Sequence, residues 1–426
     1  CVVVSICAPI VDAFTDEDVT QTTFDLAKQI FYNATHREPL KFAFLLFGLY
    51  GMKKIHDEAR DLWNDLIICA CCEEFTFYFL YACRITNFMP QKEIWRLIAA
   101  TRGWGKVFAV NEAYCEDRAK ALWLIKNAYD LDVEYHPMSL SVINSTHLDE
   151  ILKGEQIDHD TYKGAMAICN SFLIFLDRYP VEVVEQNFNI GNFSTYQLLN
   201  NLLKQAEAYA NNPEDVLDIV GLRLGLEAML QNETNYAIGN NNTHLLVAEC
   251  ERLIFSKDWT EDVHAKLLEN GRVNYAVADF AFELEIDIWD ELFNFWCHHP
   301  HETKLFAYLL SYEGQDKSDL VLHSICSNIK LFQNSKDALL VPLNYLRYHS
   351  GEGESIIISG LTGMHDWPRG VATTTLEAWD HEDITPAIRE ALFKGLAMSN
   401  NQVVTARIEA LLKGEEFNMQ DTGEMN

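Results

Sequence analysis

Apolar residues recur along most of the chain at the spacing that places them on one face of an α-helix. Three stretches show this spacing clearly: Tyr196, Leu199, Leu202, Leu203, Ala206 and Tyr209; Ile288, Leu292, Phe295 and Trp296; and Val404, Ile408, Leu411 and Leu412. The β-branched run Ile356-Ile357-Ile358 is ambiguous by itself, but it occurs in a repeat that places it in a helix. The pattern predicts about twenty helices and no sheet, so the expected fold class is all-α.

Residues typical of helix ends separate the apolar stretches. Asn212-Pro213-Glu214-Asp215 combines an N-cap, a proline in the first turn and acidic residues near the positive helix end. Thr385-Pro386 is typical of the same kind of start, and Thr15-Asp16-Glu17-Asp18 has the spacing of a capping box. Glycines are expected to end three helices, at Lys153-Gly154, Asn270-Gly271 and Lys413-Gly414.

The apolar stretches occur in pairs joined by a short polar corner. One pair covers residues 356–379 with its corner at 365–368, and the next covers residues 391–412 with its corner at 399–401. Two further pairs fit the same pattern: residues 62–83 with a corner at Glu73-Glu74, and residues 288–310 with a corner at 298–301.

The spacing of these pairs is that of a helical repeat. Gly360-Leu361 and Gly395-Leu396 occupy equivalent positions 35 residues apart, within the range of helical-pair repeats. A single helical pair cannot bury its apolar face, so successive pairs must stack on one another. We therefore expect an α-solenoid of tandem antiparallel helical pairs, similar to HEAT or armadillo arrays.

The most loop-like stretch, residues 231–244, separates two predicted arrays. We expect an N-terminal HEAT-like array at 1–232, a C-terminal HEAT-like array at 243–414 and a flexible tail at 415–426. The stretch between the arrays is either a hinge or only a long loop between two helices, and the sequence supports both interpretations equally.

Composition and charge narrow the choice of partner. The chain of 426 residues has 33 basic and 63 acidic residues, a formal net charge of −30, and 49% hydrophobic residues. The hydrophobic content is sufficient for a folded core, whereas the acidic excess repels nucleic acid and anionic lipid. We expect no nucleic-acid or membrane partner and favour a protein or peptide partner, with a basic one preferred. The oligomeric state is left open.

The eleven cysteines do not form the pattern of a disulfide scaffold, since their number is odd and Cys71 and Cys72 are adjacent. We expect free, mostly buried thiols and a cytoplasmic location. Residues 42–50 are apolar but shorter than the ~18 residues that a membrane-spanning helix needs. An apolar run follows Cys1, which favours a processed or truncated terminus over a lipid-modified cysteine.

Several segments resemble bacterial HEAT-repeat-like proteins whose function is not characterised. The first is Gly103-Trp104-Gly105-Lys106, and the others are Trp123-Leu124-Ile125-Lys126, Leu148-Asp149-Glu150-Ile151-Leu152, Trp367-Pro368-Arg369 and Ala378-Trp379. The resemblance covers roughly residues 40–180 and 350–415, and Lys126-Asn127-Ala128-Tyr129 departs from it. It implies the solenoid fold and no particular activity.

Two segments contain side chains that can bind metals. Cys297-His298-His299-Pro300-His301 offers imidazole and thiolate, but a structural zinc site needs four convergent donors, and adjacent histidines point in different directions. Cys69-Ala70-Cys71-Cys72 lacks the paired Cys-x-x-Cys motifs of such a site, and we interpret it as core packing. The pairs His301-Glu302 and His381-Glu382 are too few for a di-iron site. We expect no metal and no cofactor.

The best candidate for a binding surface is Arg102-Gly103-Trp104-Gly105-Lys106. Two glycines free the backbone, and a tryptophan flanked by cations can hold an acidic or aromatic ligand. Trp367-Pro368-Arg369 has the same character, so the candidate binding residues are Arg102, Trp104, Lys106, Trp367 and Arg369. The alternative, which the sequence favours, is that each segment is a corner between helices, with Trp104 buried as a wedge between repeats.

We recognise no phosphate-binding glycine loop, nucleophile elbow or catalytic triad order, and we predict no catalytic residue. Gly221-Leu222-Arg223-Leu224-Gly225 is instead typical of close helix packing. These observations favour a non-enzymatic protein-interaction scaffold of HEAT-like repeats. The alternative is an enzyme or small-ligand-binding protein whose site is assembled from side chains on separate repeats.

Overall fold

The chain folds almost entirely into α-helices. The structure is a computed structural model that describes residues 20–128, 137–180, 193–311, 315–332 and 335–417. It is 75% helical, with 25 α-helices in these residues, which confirms the all-α prediction. The helices outnumber the predicted twenty because several contain only one or two turns. None of the helices in the described ranges has the length and hydropathy needed to cross a bilayer.

The chain divides into two compact units, residues 1–262 and 263–426, and its helices are numbered in chain order. The first unit contains α1 (Gln21–Asn33), α2 (Arg37–Tyr50), α3 (Met52–Glu58), α4 (Arg60–Ala70), α5 (Glu73–Ile85), α6 (Gln91–Ala100), α7 (Gly103–Asn111), α8 (Arg118–Asn127), α9 (Pro137–Thr146), α10 (Leu148–Lys153), α11 (His159–Arg178), α12 (Thr195–Ala206), α13 (Pro213–Gln231) and α14 (Asn240–Ile254). At the boundary of the two units lies α15 (Thr260–Leu267).

The second unit contains β1 (Leu268–Glu269), β2 (Arg272–Val273), α16 (Tyr275–Glu283), α17 (Trp289–His298), α18 (Phe306–Leu309), α19 (Gln315–Ser327), α20 (Ile329–Phe332), α21 (Leu340–Leu346), α22 (Glu354–Thr362), α23 (Asp366–Glu377), α24 (Pro386–Met398) and α25 (Gln402–Lys413). Short 3-10 helices occur at Asn235–Ala237, Thr303–Leu305 and His381–Asp383.

In the first unit, helices pack mainly on near neighbours in the sequence. The helices α2, α5, α7, α9, α11 and α13 form a continuous series in which each contacts the next, and α10, α12 and α14 form a second series. The helix α13 approaches α11 closely at Gly225, since a Cβ there would lie 3.3 Å from Leu173, whereas a Cβ on Gly221 would lie at an ordinary contact distance of 3.5 Å from Asn170. The prediction of close packing is confirmed at Gly225.

In the second unit, the two predicted pairs near the C-terminus are present. The helices α22 and α23 form one pair, α24 and α25 form the next, and α22 contacts α24 while α23 contacts α25. Gly395 permits this approach, because a Cβ there would lie 3.0 Å from the carbonyl oxygen of Leu361. The indole N–H of Trp379 donates to the carbonyl of Leu346 at 2.7 Å and joins the first pair to the end of α21.

Most of the predicted helix ends are confirmed. Asn212 accepts the N–H of Asp215 at 3.0 Å, Thr385 accepts that of Ile388 at 3.2 Å, and Gly154 and Gly414 follow α10 and α25. The predictions of a helix end at Asn270-Gly271 and of no sheet are both wrong, because these residues form the turn of the small two-stranded β1–β2 hairpin. Their φ angles of 53° and 71° are typical of the type I′ turn that Asn-Gly favours in hairpins.

Three segments considered as corners are instead the first turns of helices. The helix α5 begins at Glu73, α7 at Gly103 and α23 at Asp366. Acidic residues and proline suit a first turn as well as a corner, because the first N–H groups of a helix have no intrahelical acceptor and carry partial positive charge.

The loop predicted at 231–244 is shorter than expected. Residues 240–244 belong to α14, and the 3-10 helix Asn235–Ala237 packs against α11, α13 and α14. The predicted arrays at 1–232 and 243–414 stay a prediction. A capping box was predicted at residues 15–18, and part of the flexible tail at residues 418–426. Both segments lie outside the described residues.

Burial of the cysteines differs from the expectation. Nine lie in the described residues; Cys83, Cys169 and Cys250 are buried, four are half-buried, and Cys72 and Cys297 are exposed. The expectation of mostly buried thiols is therefore wrong for these nine. Helix ends explain the two exposed cases, since Cys72 precedes α5 and Cys297 lies in the last turn of α17.

Candidate functional site

Trp104 lies on the surface, in the first turn of α7, with 45% of the residue exposed. Its backbone N–H donates a 2.8 Å hydrogen bond to Oε1 of Glu73, the first residue of α5. Because the first N–H groups of a helix have no intrahelical acceptor, this carboxylate caps α7. Trp104 is therefore not a buried wedge between helices.

Gly103 and Gly105 let α7 approach α5 closely. Gly103 has a φ of +55°, and a Cβ there would lie 2.5 Å from Oε1 of Glu73. A Cβ on Gly105 would lie 2.8 Å from the hydroxyl oxygen of Thr76 and 2.9 Å from the Cα of Glu73. The glycines on either side of Trp104 thus serve packing, while the Trp104 side chain remains at the surface.

A surface cavity of about 460 Å³ adjoins Trp104. Its walls come from α2, α5 and α7, which contact one another in that order, and from the residue before α5. We call this cavity the Trp104 groove, and its lining residues are Lys41, Cys72, Glu73, Glu74, Phe77, Tyr78, Trp104 and Phe108. The volume falls within the range of pockets that hold small ligands or side chains, roughly 300–1,000 Å³.

Aromatic rings dominate the Trp104 groove. Phe77 meets Phe108 edge-on with 5.0 Å between ring centroids, and Phe108 lies 5.9 Å from the Trp104 ring. The Lys41 ammonium lies 5.6 Å from the centroid of the Tyr78 ring. Such a surface can bind an apolar or aromatic group through its ring faces and edges.

The charged groups at the groove are paired with one another. The Lys41 ammonium lies 2.8 Å from a carboxylate oxygen of Glu38 and 2.8 Å from one of Glu74, and Arg37 lies 3.1 Å from Glu74. Hydrogen bonds from Lys41 and then Arg37 lower the pKa of Glu74. The network leaves the aromatic rings as the main groups available to a ligand.

Two predicted site residues, Arg102 and Lys106, do not line the groove. Arg102 is the exposed N-cap of α7, and Lys106 is half-buried. The cation of the groove is Lys41 on α2, which the sequence did not single out, and Tyr78 on α5 was missed as well. Phe108 could have been found, because a residue four positions after Trp104 lies on the same helical face.

Trp367 and Arg369 lie in the second unit and have different environments. Trp367 is 57% exposed in the first turn of α23, and the Lys336 ammonium lies 5.5 Å from its ring centroid. Arg369 is 1% exposed. It donates to the carbonyls of Leu361 at 2.9 Å and Gly363 at 2.7 Å, and to the carboxylate of Asp366. This burial gives Arg369 a structural role at the end of α22 in place of the predicted surface contact.

The histidine-rich segment at the C-terminal end of α17 bonds to its own helix. The Nδ1 atoms of His298 and His299 lie 2.8 and 3.1 Å from the carbonyl oxygens of Asn294 and Phe295. Across the described part of the chain, no three His, Cys, Asp or Glu side chains are placed to hold a metal ion.

A polar cluster between α11 and α13 was missed in the sequence. The buried carboxylate of Asp215 lies 2.8 and 3.0 Å from Nε2 of His159, and Lys163 bonds to Asp218 while its ammonium lies 3.4 Å from Asp215. Burial raises the pKa of Asp218, and Lys163 opposes this effect. The cluster fixes the orientation of the His159 ring and joins the two helices. None of these four side chains lines the Trp104 groove.

The second unit has an aromatic groove of its own, with a volume of about 580 Å³. Its lining residues are Tyr275, Asp279, Phe282, Lys304, Ala307, Tyr308, Ser311 and Val341. The Lys304 ammonium lies 5.6 Å from the centroid of the Tyr275 ring. The hydroxyl of Tyr308 donates to Asp279, and burial together with Glu302 raises the pKa of Tyr275 to about 12. Each of the two grooves thus presents tyrosine and phenylalanine rings, with a lysine over a tyrosine.

Comparison of the chain with protein-family models, with curated proteins and with solved structures finds no match. The resemblance to HEAT-repeat-like proteins is therefore not supported by an identified family.

Proposed function

We propose that the chain is a non-enzymatic scaffold that binds a protein or peptide partner at the Trp104 groove. The observation that carries this proposal is Trp104 itself, a large aromatic side chain that is 45% exposed beside a groove formed by three helices. Tryptophan and tyrosine are enriched at the positions that contribute most to protein–protein binding. Tyr78 and Trp104 supply both types in one cavity.

We further propose that the helices form an α-solenoid of HEAT-like pairs, as the resemblance implies. The series from α2 to α13 and the stacked pairs from α22 to α25 support this arrangement, since each repeat of a solenoid contacts only its neighbours. Solenoids offer extended surfaces that suit protein and peptide partners.

The net charge of the chain favours a basic partner, and the aromatic lining of the groove favours a partner that inserts an apolar side chain. The net charge of −30 attracts cationic partners over a distance. The groove cation Lys41 is already paired with Glu38 and Glu74, and the neighbouring Arg37 also pairs with Glu74, so a partner contacts mainly the rings of the groove. We expect an apolar side chain of the partner to enter the groove while adjacent basic residues contact acidic surface around it.

The alternative proposal is an enzyme or a small-ligand-binding protein. One observation favours it: His159 and Lys163 of α11 meet Asp215 and Asp218 of α13, as in a site assembled from separate repeats. These side chains bond to one another, however, which suits a structural cluster better than a reactive one.

Selection of peptides from a displayed random library, with the full chain as bait, tests the proposal. We expect enriched peptides to share an apolar residue flanked by Lys or Arg, and to be captured by the wild type but not by Trp104→Ala. Enriched peptides that bind Trp104→Ala equally well would place the binding site elsewhere. A small molecule that copurifies with the chain, with no peptide enriched, would support the alternative.

A further inference from the structure

Cys69 and Cys72 lie at either end of a single tight turn between α4 and α5. The backbone N–H of Cys72 donates to the carbonyl of Cys69 at 3.0 Å, and the intervening Cys71 has helical φ and ψ of −70° and −10°. Residues at the ends of such a turn have Cα atoms less than about 7 Å apart. A disulfide needs about 4.4–6.8 Å between Cα atoms, so the backbone already places these two residues at a suitable separation.

The two thiols have complementary environments. Cys72 is exposed and lines the Trp104 groove, whereas Cys69 is half-buried at the end of α4. Burial, with a smaller contribution from Cys72, raises the pKa of the Cys69 thiol to about 11. A reagent in solution therefore reaches Cys72 first, and Cys69 is held close to it as a protonated thiol.

Cys71 is not a suitable partner for either thiol. Residues two apart in a helix point to different sides, which separates Cys71 from Cys69, whereas residues three apart share a face. A bond between the adjacent Cys71 and Cys72 would depart from ordinary disulfide geometry and store strain. The Cys-x-x-Cys spacing of Cys69 and Cys72 thus selects one pair among the three thiols.

We propose that Cys69 and Cys72 form a reversible dithiol–disulfide site that exchanges with low-molecular-weight disulfides such as glutathione disulfide. The Cys72 thiol loses its proton, and its sulfur attacks one sulfur of glutathione disulfide. The disulfide bond of the reagent breaks, one glutathione leaves as a thiol, and a mixed disulfide forms on Cys72. Cys69 then loses its proton and attacks the Cys72 sulfur, which releases the second glutathione. Two protein thiols are oxidised and one glutathione disulfide is reduced to two glutathiones.

Mass spectrometry of the full chain after treatment with glutathione disulfide tests this site without reference to partner binding. Trypsin releases residues 61–84 as one peptide, and further cleavage after Glu73 or Glu74 separates Cys83 from the three other cysteines. We expect the fragment with Cys69 and Cys72 to lose the mass of two hydrogen atoms, and dithiothreitol to restore it. In Cys69→Ser, and in Cys69→Ala as a second variant, we expect glutathione to remain attached to Cys72.

Cys71→Ser is the matched control, and it should form the same cross-link as the wild type. Cys72→Ser should lose the cross-link while retaining the helical circular dichroism of the wild type. A stable glutathione adduct on Cys72 of the wild-type chain, with no loss of hydrogen, would contradict the proposed pair. So would a cross-link that persists in Cys69→Ser.

Discussion

The carboxylate of Glu73 accepts the backbone N–H of Trp104 at 2.8 Å, which joins the first turn of α5 to the first turn of α7. Both residues line the Trp104 groove, so one hydrogen bond connects two of its three helices at the groove itself. Gly103 and Gly105 make the bond possible, because any side chain at either position would overlap Glu73 or Thr76. The position of Trp104 therefore depends on this junction.

Replacing Glu73 by alanine should destabilise the first unit. The substitution removes the cap of α7, and loss of a helix cap costs about 0.5–2 kcal/mol. Glu73→Gln retains a neutral acceptor for the N–H of Trp104. It should lose less stability than Glu73→Ala, because only the interaction of the carboxylate charge with the helix end disappears. Urea unfolding followed by circular dichroism measures the free energy of unfolding. An unchanged value in Glu73→Ala would contradict the capping role.

Two glycine substitutions should have opposite effects. A Cβ at Gly105 meets the backbone of Glu73 at 2.9 Å, so Gly105→Ala should cost about 1–3 kcal/mol through overpacking. Gly221→Ala is the control in the same unit, because the nearest atom to its Cβ would be 3.5 Å away. Alanine should there be neutral or stabilise the helix by up to about 1 kcal/mol. Equal free energies of unfolding for the two variants would contradict the close α5–α7 contact.

Arg369 should be a stability residue and not a binding residue. Arg369→Ala leaves the carbonyls of Leu361 and Gly363 without their donor and opens a cavity, which together should cost about 3–5 kcal/mol. The exposed Arg389 of the same unit is the control, and Arg389→Ala should change the free energy of unfolding by no more than about 0.5 kcal/mol. Thermal unfolding compares the two variants. A small effect at Arg369 would show that its buried hydrogen bonds contribute little.

The ion pair of Asp158 should make stability depend on pH in the acid range. A hydrogen bond from Lys126, followed by the N–H and hydroxyl of Thr161, lowers the pKa of Asp158 from its ordinary 3.8 to about 2. Because the folded pKa is the lower one, the stabilisation is complete above the ordinary pKa and is lost as pH falls from about 4 to about 2. The wild type should be more stable than Asp158→Asn near pH 6, and the difference should shrink through that window. A difference in melting temperature between the wild type and Asp158→Asn that stays constant down to pH 2 would contradict the lowered pKa of Asp158.

Much of the helical fold could be predicted from the residues themselves. The N-caps at Asn212 and Thr385 predict helix starts that the hydrogen bonds confirm. The spacing of Gly360 and Gly395 predicts two helical pairs, and these pairs do stack. Errors arose where one residue type suits two structures. Glu73 and Asp366 fit a polar corner and also a first helical turn, and Asn270-Gly271 fits a helix end and also a hairpin turn.

The candidate site was predictable only in part, because it is assembled from three helices. Trp104 stood out through its flanking glycines, but nothing in the sequence relates it to Lys41 or Tyr78, which approach it only through the packing of α2, α5 and α7. Arg369, in contrast, was predicted at a binding surface and is buried. Its position beside Trp367 indicated a surface, whereas its guanidinium turns inward to carbonyls that the chain leaves unpaired at the end of α22.

The most direct test of the central claim is the affinity of a selected peptide for three forms of the full chain, measured by calorimetry. Trp104→Ala is the test variant. Trp123→Ala is its matched control, since Trp123 is 37% exposed in the same unit and does not line the Trp104 groove. Loss of a binding hot spot costs about 2 kcal/mol or more, so Trp104→Ala should weaken binding at least about 30-fold while Trp123→Ala binds like the wild type. Equal affinities for all three forms would contradict the assignment of the Trp104 groove as the binding surface.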